Sequence, residues 1–293
     1  MPCDGGNCVS NNETMHIKFW GVRGSIPVPG PRTVEYGGNT SCIQITMGKR
    51  QVVLDAGSGL VGLGEALAEV PCEVDLFLSH LHWDHILGFP FFRPVFQKSN
   101  RLRIYGPSLE QNSSFNPLSA AIAPPWFPVS MESMQADITY SVIDGEQTLN
   151  LRDGIIVRTM FTNHPGSCLA FRVEYKGCSC CYVSDHEHKE NVHEQLVAFA
   201  QGSDVLIHDA QYTDQEYYGN GTHKPKIDWG HSTWQSVVKV AREAKVKRLF
   251  LFHHDPSRTD DALSAIEVLA KQKFPSCQAA KEGVVIQVCQ NRS

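Results

Sequence analysis

The feature that most constrains this chain is a run of metal-ligand side chains directly after a largely apolar segment. Residues 74–78 have the composition of a buried strand. Three histidines and one aspartate follow within six positions, namely His80, His82, Asp84 and His85. On an extended backbone, side chains two positions apart point the same way, so the first two histidines can bind one ion together. A lone histidine beside a strand is usually a core or surface residue, but four ligand types in one short segment predict a metal site.

Composition excludes several broad classes of protein. The 293 residues suit one large α/β unit, and the formal net charge of −5 gives no general attraction to phosphate backbones. No window approaches the roughly 20 apolar residues of a membrane-spanning helix, and the N-terminus is polar. We therefore expect a cytoplasmic protein without membrane contact or bulk nucleic-acid binding. We also expect residues 1–14 to be a mobile tail and residues 15–293 to form a single domain.

The ten cysteines are interpreted mainly as reduced thiols. Four of them stand singly in apolar or strand-like surroundings, where a thiol behaves as a small hydrophobic group: Cys42, Cys72, Cys168 and Cys289. Five others are closely spaced: Cys3 with Cys8, and Cys178 with Cys180 and Cys181. For these groups an accessory metal site and free thiols remain open, and the free thiols are favoured because the spacing matches no zinc ribbon well.

The metal-ligand run also carries a family resemblance. Its letters HLHWDH resemble the HxHxDH signature of the metallo-β-lactamase superfamily. The letters LGFP at 87–90 resemble the phosphodiesterase branch, which contains the tRNA 3'-processing nucleases (tRNase Z) and some cyclic-nucleotide phosphodiesterases. The segments GVRGSIP, YGGNTS and LDAGSG are similar to the start of that branch. The resemblance implies an α/β fold, a four-layer αββα sandwich of two mixed sheets flanked by helices.

The family pattern also requires ligands at later strand ends, and the sequence supplies a candidate at each. His164 follows the apolar run 155–161, and Asp185 follows a second run at 179–184. The third candidate follows residues 248–252, where the resemblance favours His253 as the ligand and places His254 on the opposite face. His186 and His188 are interpreted as neighbours of the aspartate.

The resemblance implies two divalent ions. The first ion takes His80, His82 and His164, the second takes Asp84, His85 and His253, and Asp185 bridges them. Zinc is the first choice, with manganese and iron as alternatives, because sites rich in histidine and aspartate accept all three.

A second motif indicates which chemistry the site performs. The letters GHST at 230–233 precede a segment with helical period and resemble a segment of the tRNA-processing and related phosphodiesterases. We expect His231 to donate to a phosphate oxygen or to protonate the leaving oxygen, and Ser232 to cap the helix. The alternative is that His231 only caps the helix. His208 and Asp209 resemble the HEAT-type segment of the same branch and are predicted to support the site, with the aspartate orienting His231.

Substrate contacts are predicted from two irregular segments. Arg23, in a loop rich in glycine and proline, is predicted to reach a substrate phosphate, although a loop arginine is more often a surface charge. Residues 108–135 contain four prolines and several aromatic residues, which indicates a lid-like insertion. Trp126 or Phe127 is predicted to stack on a base or to line an apolar pocket. The alternative is that these rings fill a core or a homodimer interface.

These features predict a metal-dependent phosphodiesterase that hydrolyses a small phosphodiester, with a 3',5'-cyclic nucleotide as the first choice. The family implies attack by a hydroxide that bridges the ions, with Asp84 orienting it and His231 as the acid. A tRNA 3'-processing endonuclease and a cyclic-phosphate-sugar phosphodiesterase remain alternatives. The small substrate is preferred because the chain is acidic and lacks an evident basic arm. A lactonase or thioesterase is a second alternative.

Overall fold

Two seven-stranded sheets form the centre of the described structure, a computed structural model that describes residues 14–108, 117–125, 127–221 and 224–289. Strands are numbered in chain order. The first sheet contains β1 (Met15–Gly21), β2 (Cys42–Met47), β3 (Arg50–Leu54), β4 (Glu73–Phe77), β5 (Arg101–Gly106), β6 (Asp137–Val142) and β14 (Val285–Gln287). The second contains β7 (Thr148–Asn150), β8 (Ile156–Phe161), β9 (Leu169–Tyr175), β10 (Cys178–Val183), β11 (Val205–Asp209), β12 (Arg248–Phe252) and β13 (Cys277–Ala279).

Both sheets are mixed. The first runs in the order β14-β1-β2-β3-β4-β5-β6, antiparallel as far as β3 and parallel from there to β6. The second runs in the order β13-β12-β11-β10-β9-β8-β7, antiparallel from β7 to β10 and parallel from β10 to β13. Parallel strands are covered on both faces in most folds, so each sheet requires a helical layer outside it.

Helices supply those outer layers. They are α1 (Gly59–Leu67), α2 (Trp83–Ile86), α3 (Pro117–Ala121), α4 (Glu190–Ala200), α5 (Asp214–Tyr218), α6 (Trp234–Glu243) and α7 (Asp260–Lys273). One apolar cluster lies between the sheets and includes Phe19 of β1 and Phe250 of β12, whose ring centroids are 5.2 Å apart. Two further clusters join the first sheet to α1 and the second sheet to α4 and α6. The predicted four-layer αββα sandwich is therefore confirmed.

The helix that follows the GHST motif, α6, has the predicted apolar face. Val237, Val240 and Ala241 lie on this face and are buried. The helix begins one residue later than expected. Thr233 is the N-cap, and its hydroxyl accepts from the Ser236 N–H at 3.2 Å. Ser232, which was expected to cap, instead donates through Oγ to the His186 carbonyl. None of the helices in the described part of the chain is long and apolar enough to cross a bilayer.

The predicted lid segment, 108–135, is only partly described. Residues 109–116 and Trp126 lie outside the described residues, as does the predicted tail up to residue 13. The described part contains α3, and Leu118 and Ile122 pack in the cluster of the first sheet. These two side chains contribute to the core, while a lid function for the segment stays a prediction.

The cysteine cluster at 178–181 is predicted as free thiols or an accessory metal site; the structure agrees with free thiols for Cys180 and Cys181 and corrects the prediction for Cys178. Cys178 forms a disulfide with Cys289, the residue predicted to be a single reduced thiol. Side chains alternate along β10, so Cys180 faces the core between the sheets, whereas Cys181 faces the helices. Neither is disulfide-bonded, and no cysteine joins a metal-binding group among the residues that the structure describes. Cys3 and Cys8 lie outside those residues.

Candidate metal centre

The predicted ligands come from strand ends of both sheets and meet at one edge of the sandwich. His80 follows β4 in the first sheet, whereas His164, Asp185 and His253 follow β8, β10 and β12 in the second. Strand ends that point to one edge carry their following loops to the same place. The sheets are joined here by the Leu169 N–H, which donates to the Ser79 carbonyl at 2.9 Å.

Asp185 lies between two groups of side chains, and each of its oxygens faces a different group. Oδ2 lies 3.7 Å from Nε2 of His80 and 3.6 Å from Nε2 of His164. Oδ1 lies 3.3 Å from Nε2 of His85 and 3.2 Å from Nε2 of His253. The carboxylate therefore occupies the position predicted for a bridging ligand, although the bridging role itself stays a prediction.

The first group consists of His80, His82, His164 and Asp185, whose ligand atoms all lie within 4.8 Å of one another. Nδ1 of His82 is 3.2 Å from Nε2 of His164. Burial lowers the pKa of His80 well below its usual value, and the neighbouring His85 adds to this effect. The imidazole is therefore neutral, which is the form that binds a metal ion.

The second group consists of Asp84, His85 and His253, also within 4.8 Å of one another. Oδ2 of Asp84 lies 3.2 Å from Nε2 of each histidine. The Ser25 N–H donates to the same oxygen at 2.7 Å. Burial alone would raise the pKa of Asp84, but the two histidines outweigh it and hold that pKa well below its usual value. This side chain is therefore an ionised carboxylate.

The donor atoms of both groups fit divalent cations. Nε2 of His80, Nε2 of His85 and Oδ1 of Asp185 are buried without a hydrogen-bond partner. Leaving such an atom unpaired costs about 1–3 kcal/mol, so three of them converging on one place indicate a missing partner. Imidazole nitrogens and carboxylate oxygens are the donors that zinc, manganese and iron(II) accept. The site therefore suits divalent metal ions.

A buried carboxylate that sequence reasoning missed orients one of these imidazoles. Oδ2 of Asp55 accepts from Nδ1 of His85 at 2.8 Å and from the Tyr182 hydroxyl at 2.7 Å. Its Oδ1 accepts from the Ser79 N–H at 2.7 Å. A carboxylate on the far nitrogen fixes the tautomer and ring orientation of a metal-binding histidine. The signal was present in the sequence, because Asp55 ends an apolar strand as the predicted ligands do.

Two other imidazoles are oriented by neutral oxygens. Nδ1 of His164 donates to the Gly230 carbonyl at 2.9 Å, and Nδ1 of His253 lies 2.9 Å from the Gln211 Oε1. Space for both rings depends on glycine. A Cβ on Gly24 would lie 2.4 Å from the ring of His253, and a Cβ on Gly230 would lie 2.3 Å from Nδ1 of His164. Sequence reasoning did not assign Gln211 or either glycine to the site.

The structure shows which of the two adjacent histidines at the end of β12 faces the other predicted ligands. Nε2 of His253 faces Asp84 and Asp185. His254 points the other way, and its Nε2 donates to the Ala280 carbonyl at 2.9 Å. The structure therefore brings His253, and not His254, to the predicted ligands.

His231 lies beside both groups. Its ring centroid is 5.3 Å from that of His164 and 5.0 Å from that of His253. Nδ1 lies 2.9 Å from Oδ2 of Asp209. Burial lowers the pKa of His231, but the carboxylates, Asp209 foremost, outweigh burial and raise it to about 9. His231 also groups with Asp185 and His253, but Asp209 occupies Nδ1, so Nε2 is the nitrogen that a substrate can reach.

Two predicted residues make contacts that hold the fold, and a third packs against a neighbouring ring. Arg23 is fully buried and donates to the carbonyls of Gly37 and Arg258, each at 2.8 Å, so it holds a loop rather than facing a phosphate. His208 points to the outer face of its sheet, where Nδ1 donates to the Asp209 carbonyl at 2.8 Å. Phe127 packs edge-on against Phe91 with ring centroids 5.5 Å apart.

Comparisons with known proteins agree with this geometry. The sequence profile described as the beta-lactamase superfamily domain matches residues 50–254. The chain belongs to the β-lactamase superfamily. With that membership and the two groups of histidine and aspartate side chains, this β-lactamase superfamily protein is a metal-dependent hydrolase.

More specific likenesses within the superfamily are distant. This superfamily member is 23% identical to ribonuclease Z of Thermoplasma acidophilum over 259 residues, covering 71% of this chain and 77% of that protein. The metallo-β-lactamase fold protein YhfI from Bacillus subtilis has a TM-score of 0.69 at 20% identity, covering 94% of this chain and 99% of that one. The short form of human tRNase Z has a TM-score of 0.64 at 19% identity, covering 94% and 100%. The two structural likenesses show the shared fold.

Proposed function

We propose that this protein is a divalent-metal-dependent phosphodiesterase whose substrate is a small phosphodiester, with 3',5'-cyclic nucleotides as the preferred class. One observation carries the proposal. His231 lies beside both metal-ligand groups, with Nδ1 held by Asp209 and Nε2 available to a substrate. Hydrolysis of a phosphodiester with a poor leaving group requires an acid at that oxygen, and a positioned imidazole supplies one.

The ions in this proposal are held by the two groups already described. His80, His82 and His164 would hold the first ion, Asp84, His85 and His253 would hold the second, and Asp185 lies between the two groups. When bound, divalent ions supply positive charge to phosphoryl oxygens and lower the pKa of water toward neutrality. Zinc is proposed first, with manganese or iron(II) as alternatives.

The chain's own residues then position and move protons. Nε2 of His231 donates its proton to the leaving oxygen, while Asp209 keeps the other proton on Nδ1 and stabilises the cationic ring. Asp209 is itself fixed, because it accepts from the His186 N–H at 3.2 Å and from the Gln211 N–H at 3.0 Å. Asp84, an ionised carboxylate held by the Ser25 N–H, orients the attacking water.

Cleavage of a tRNA 3' end is the second candidate, because the sequence is similar to a ribonuclease Z. The net charge of −5 disfavours a tRNA substrate, because binding of long nucleic acids rests mainly on contacts between cationic side chains and phosphates. A thioesterase is less well supported, because a thiolate leaves without an acid and gives His231 no role.

A substrate panel tests the proposal. Metal content is first measured on protein purified without added metal. Hydrolysis is then measured with cyclic AMP, cyclic GMP, a precursor tRNA, and paired acyl and phosphodiester esters of p-nitrophenol. We expect turnover of the diester and of at least one cyclic nucleotide, abolished by chelator and restored by zinc or manganese. Accurate removal of the tRNA 3' trailer without cyclic-nucleotide hydrolysis would replace the first candidate by the second. Turnover of the acyl ester alone would reject both.

A further inference from the structure

Two large exposed apolar side chains adjoin residues of the metal centre along the chain. Trp83 directly follows His82, and 73% of its surface is exposed. Trp229 is 58% exposed and directly precedes Gly230, whose carbonyl accepts from His164. His82 and His164 contact each other at 3.2 Å, so Trp83 adjoins one member of this pair in sequence, and Trp229 adjoins the glycine that binds the other.

Both tryptophans are carried by segments that are held in place. Trp83 is the first residue of α2, the short helix that also carries two predicted ligands. Beside Trp229, the Asp228 N–H donates to Oε1 of Glu187 at 2.6 Å. The same oxygen of this buried carboxylate accepts from the Tyr217 hydroxyl. Because the backbone is already ordered and a tryptophan side chain has only two rotatable bonds, binding a flat ligand costs these rings little entropy.

A cation accompanies one of the rings. Nζ of Lys226 lies 4.8 Å from the ring of Trp229 and 4.8 Å from the ring of Tyr212. Tyr212 in turn lies edge-on to His231 with ring centroids 5.9 Å apart. No carboxylate within 4 Å pairs with Lys226 in the part of the chain that the structure describes. Positive charge is therefore available between Trp229 and the residue proposed as the acid.

We propose that Trp83 and Trp229, together with Lys226, form a subsite that stacks on the base of a nucleotide substrate while the lysine contacts its phosphate. The inference rests on the proposed function and narrows it to nucleoside phosphodiesters, as opposed to sugar phosphodiesters that carry no base. The prediction that Phe127 stacks on a base is separate from this subsite.

Two ligands that differ only in the base test the subsite directly. The affinities of AMP and ribose 5-phosphate for the metal-loaded protein are measured by calorimetry. Stacking on aromatic side chains changes affinity by about 5- to 150-fold per base, so we expect AMP to bind at least about tenfold more tightly. In Trp229→Ala and Trp83→Ala, the ratio of the affinity for AMP to the affinity for ribose 5-phosphate should fall toward one. The affinity for ribose 5-phosphate itself should equal that of the wild type. Trp229→Phe should restore most of it, because a smaller ring can still stack.

A matched control removes an exposed apolar side chain elsewhere. Leu269 on α7 is also exposed, and Leu269→Ala should leave the ratio unchanged. Metal content is measured for each variant, because Trp83 adjoins a predicted ligand, and Trp229→Ala remains the decisive variant if Trp83→Ala loses metal. Equal affinities of the wild type for the two ligands, binding of neither, or an equal loss for both in Trp229→Ala would overturn the subsite.

The subsite and the proposed function can fail separately. Methyl p-nitrophenyl phosphate is a diester without a base, and its metal-dependent hydrolysis tests the catalytic proposal alone. Hydrolysis of that ester with no preference for AMP would reject the subsite and keep the phosphodiesterase. A preference for AMP that depends on Trp229, without hydrolysis of any diester, would keep the subsite and reject the catalytic proposal.

Discussion

Nδ1 of His231 and Oδ2 of Asp209 lie 2.9 Å apart, although His231 lies in the loop just before α6 and Asp209 ends β11. The pair adjoins the metal centre without replacing any of its predicted ligands. A proton donor outside the ligand set can be removed without emptying the metal centre, so its contribution to catalysis can be measured separately.

His231→Ala should lower kcat by about a hundredfold or more on a diester with a poor leaving group. The loss should be much smaller on a p-nitrophenyl ester, because p-nitrophenolate leaves without a proton. Metal content, measured by mass spectrometry, should match the wild type. Asp209→Asn is expected to lower kcat on the same diester by a smaller factor. Equal losses on both esters would contradict the acid role.

Asp55→Asn should weaken metal binding by about 10- to 100-fold, because it removes the carboxylate that orients His85. The measurement is competition with a chelator of known affinity. Asp75→Asn is the matched control, since Asp75 is a nearly buried carboxylate on the neighbouring strand that pairs with Arg103 at 2.6 Å. Similar metal affinities for the two variants would mean that the role of Asp55 is not specific to the metal centre.

Gly24→Ala should displace the ring of His253, because the added Cβ would lie 2.4 Å from it. We expect loss of part of the bound metal and of most diester turnover, with the fold retained by circular dichroism. Gly62→Ala on α1 is the control. Its Cβ would meet only the edge of Trp20, at 3.2 Å, and alanine favours a helix. Full metal content in Gly24→Ala would show that the ring has room to move.

His208 should make folding stability depend on pH. Burial, partly offset by its hydrogen bond to the Asp209 carbonyl, lowers the pKa of His208 to about 4. Between that value and the unfolded value near 6.5 the unfolded chain binds more protons, so stability falls as pH drops through this window. His208→Asn should remove about 2 kcal/mol of the stability difference between pH 7 and pH 5, measured by urea unfolding. A slope unchanged by the substitution would mean that the pKa of His208 is the same in the folded and unfolded states.

The sequence allowed the fold and the grouping of the candidate ligands to be predicted, because both follow from local patterns. Each ligand type follows an apolar strand, and parallel strand ends meet at one edge. Residues that act through distant partners could not be predicted. Arg23 looked like a phosphate contact, but the carbonyl of Arg258 that binds it is far away in sequence. The Cys178–Cys289 disulfide likewise depends on where β10 and the C-terminal segment meet.

The two ligand groups draw their members from both sheets, and this has a consequence for synthesis of the chain on the ribosome. His80 is made early, whereas His253 emerges only after β12 has been translated. A nascent chain therefore exposes several histidines and carboxylates long before the second group can close. Truncated or prematurely released chains would carry incomplete metal sites whose ligands are not held in position. Correct metal binding is therefore expected only after translation is complete.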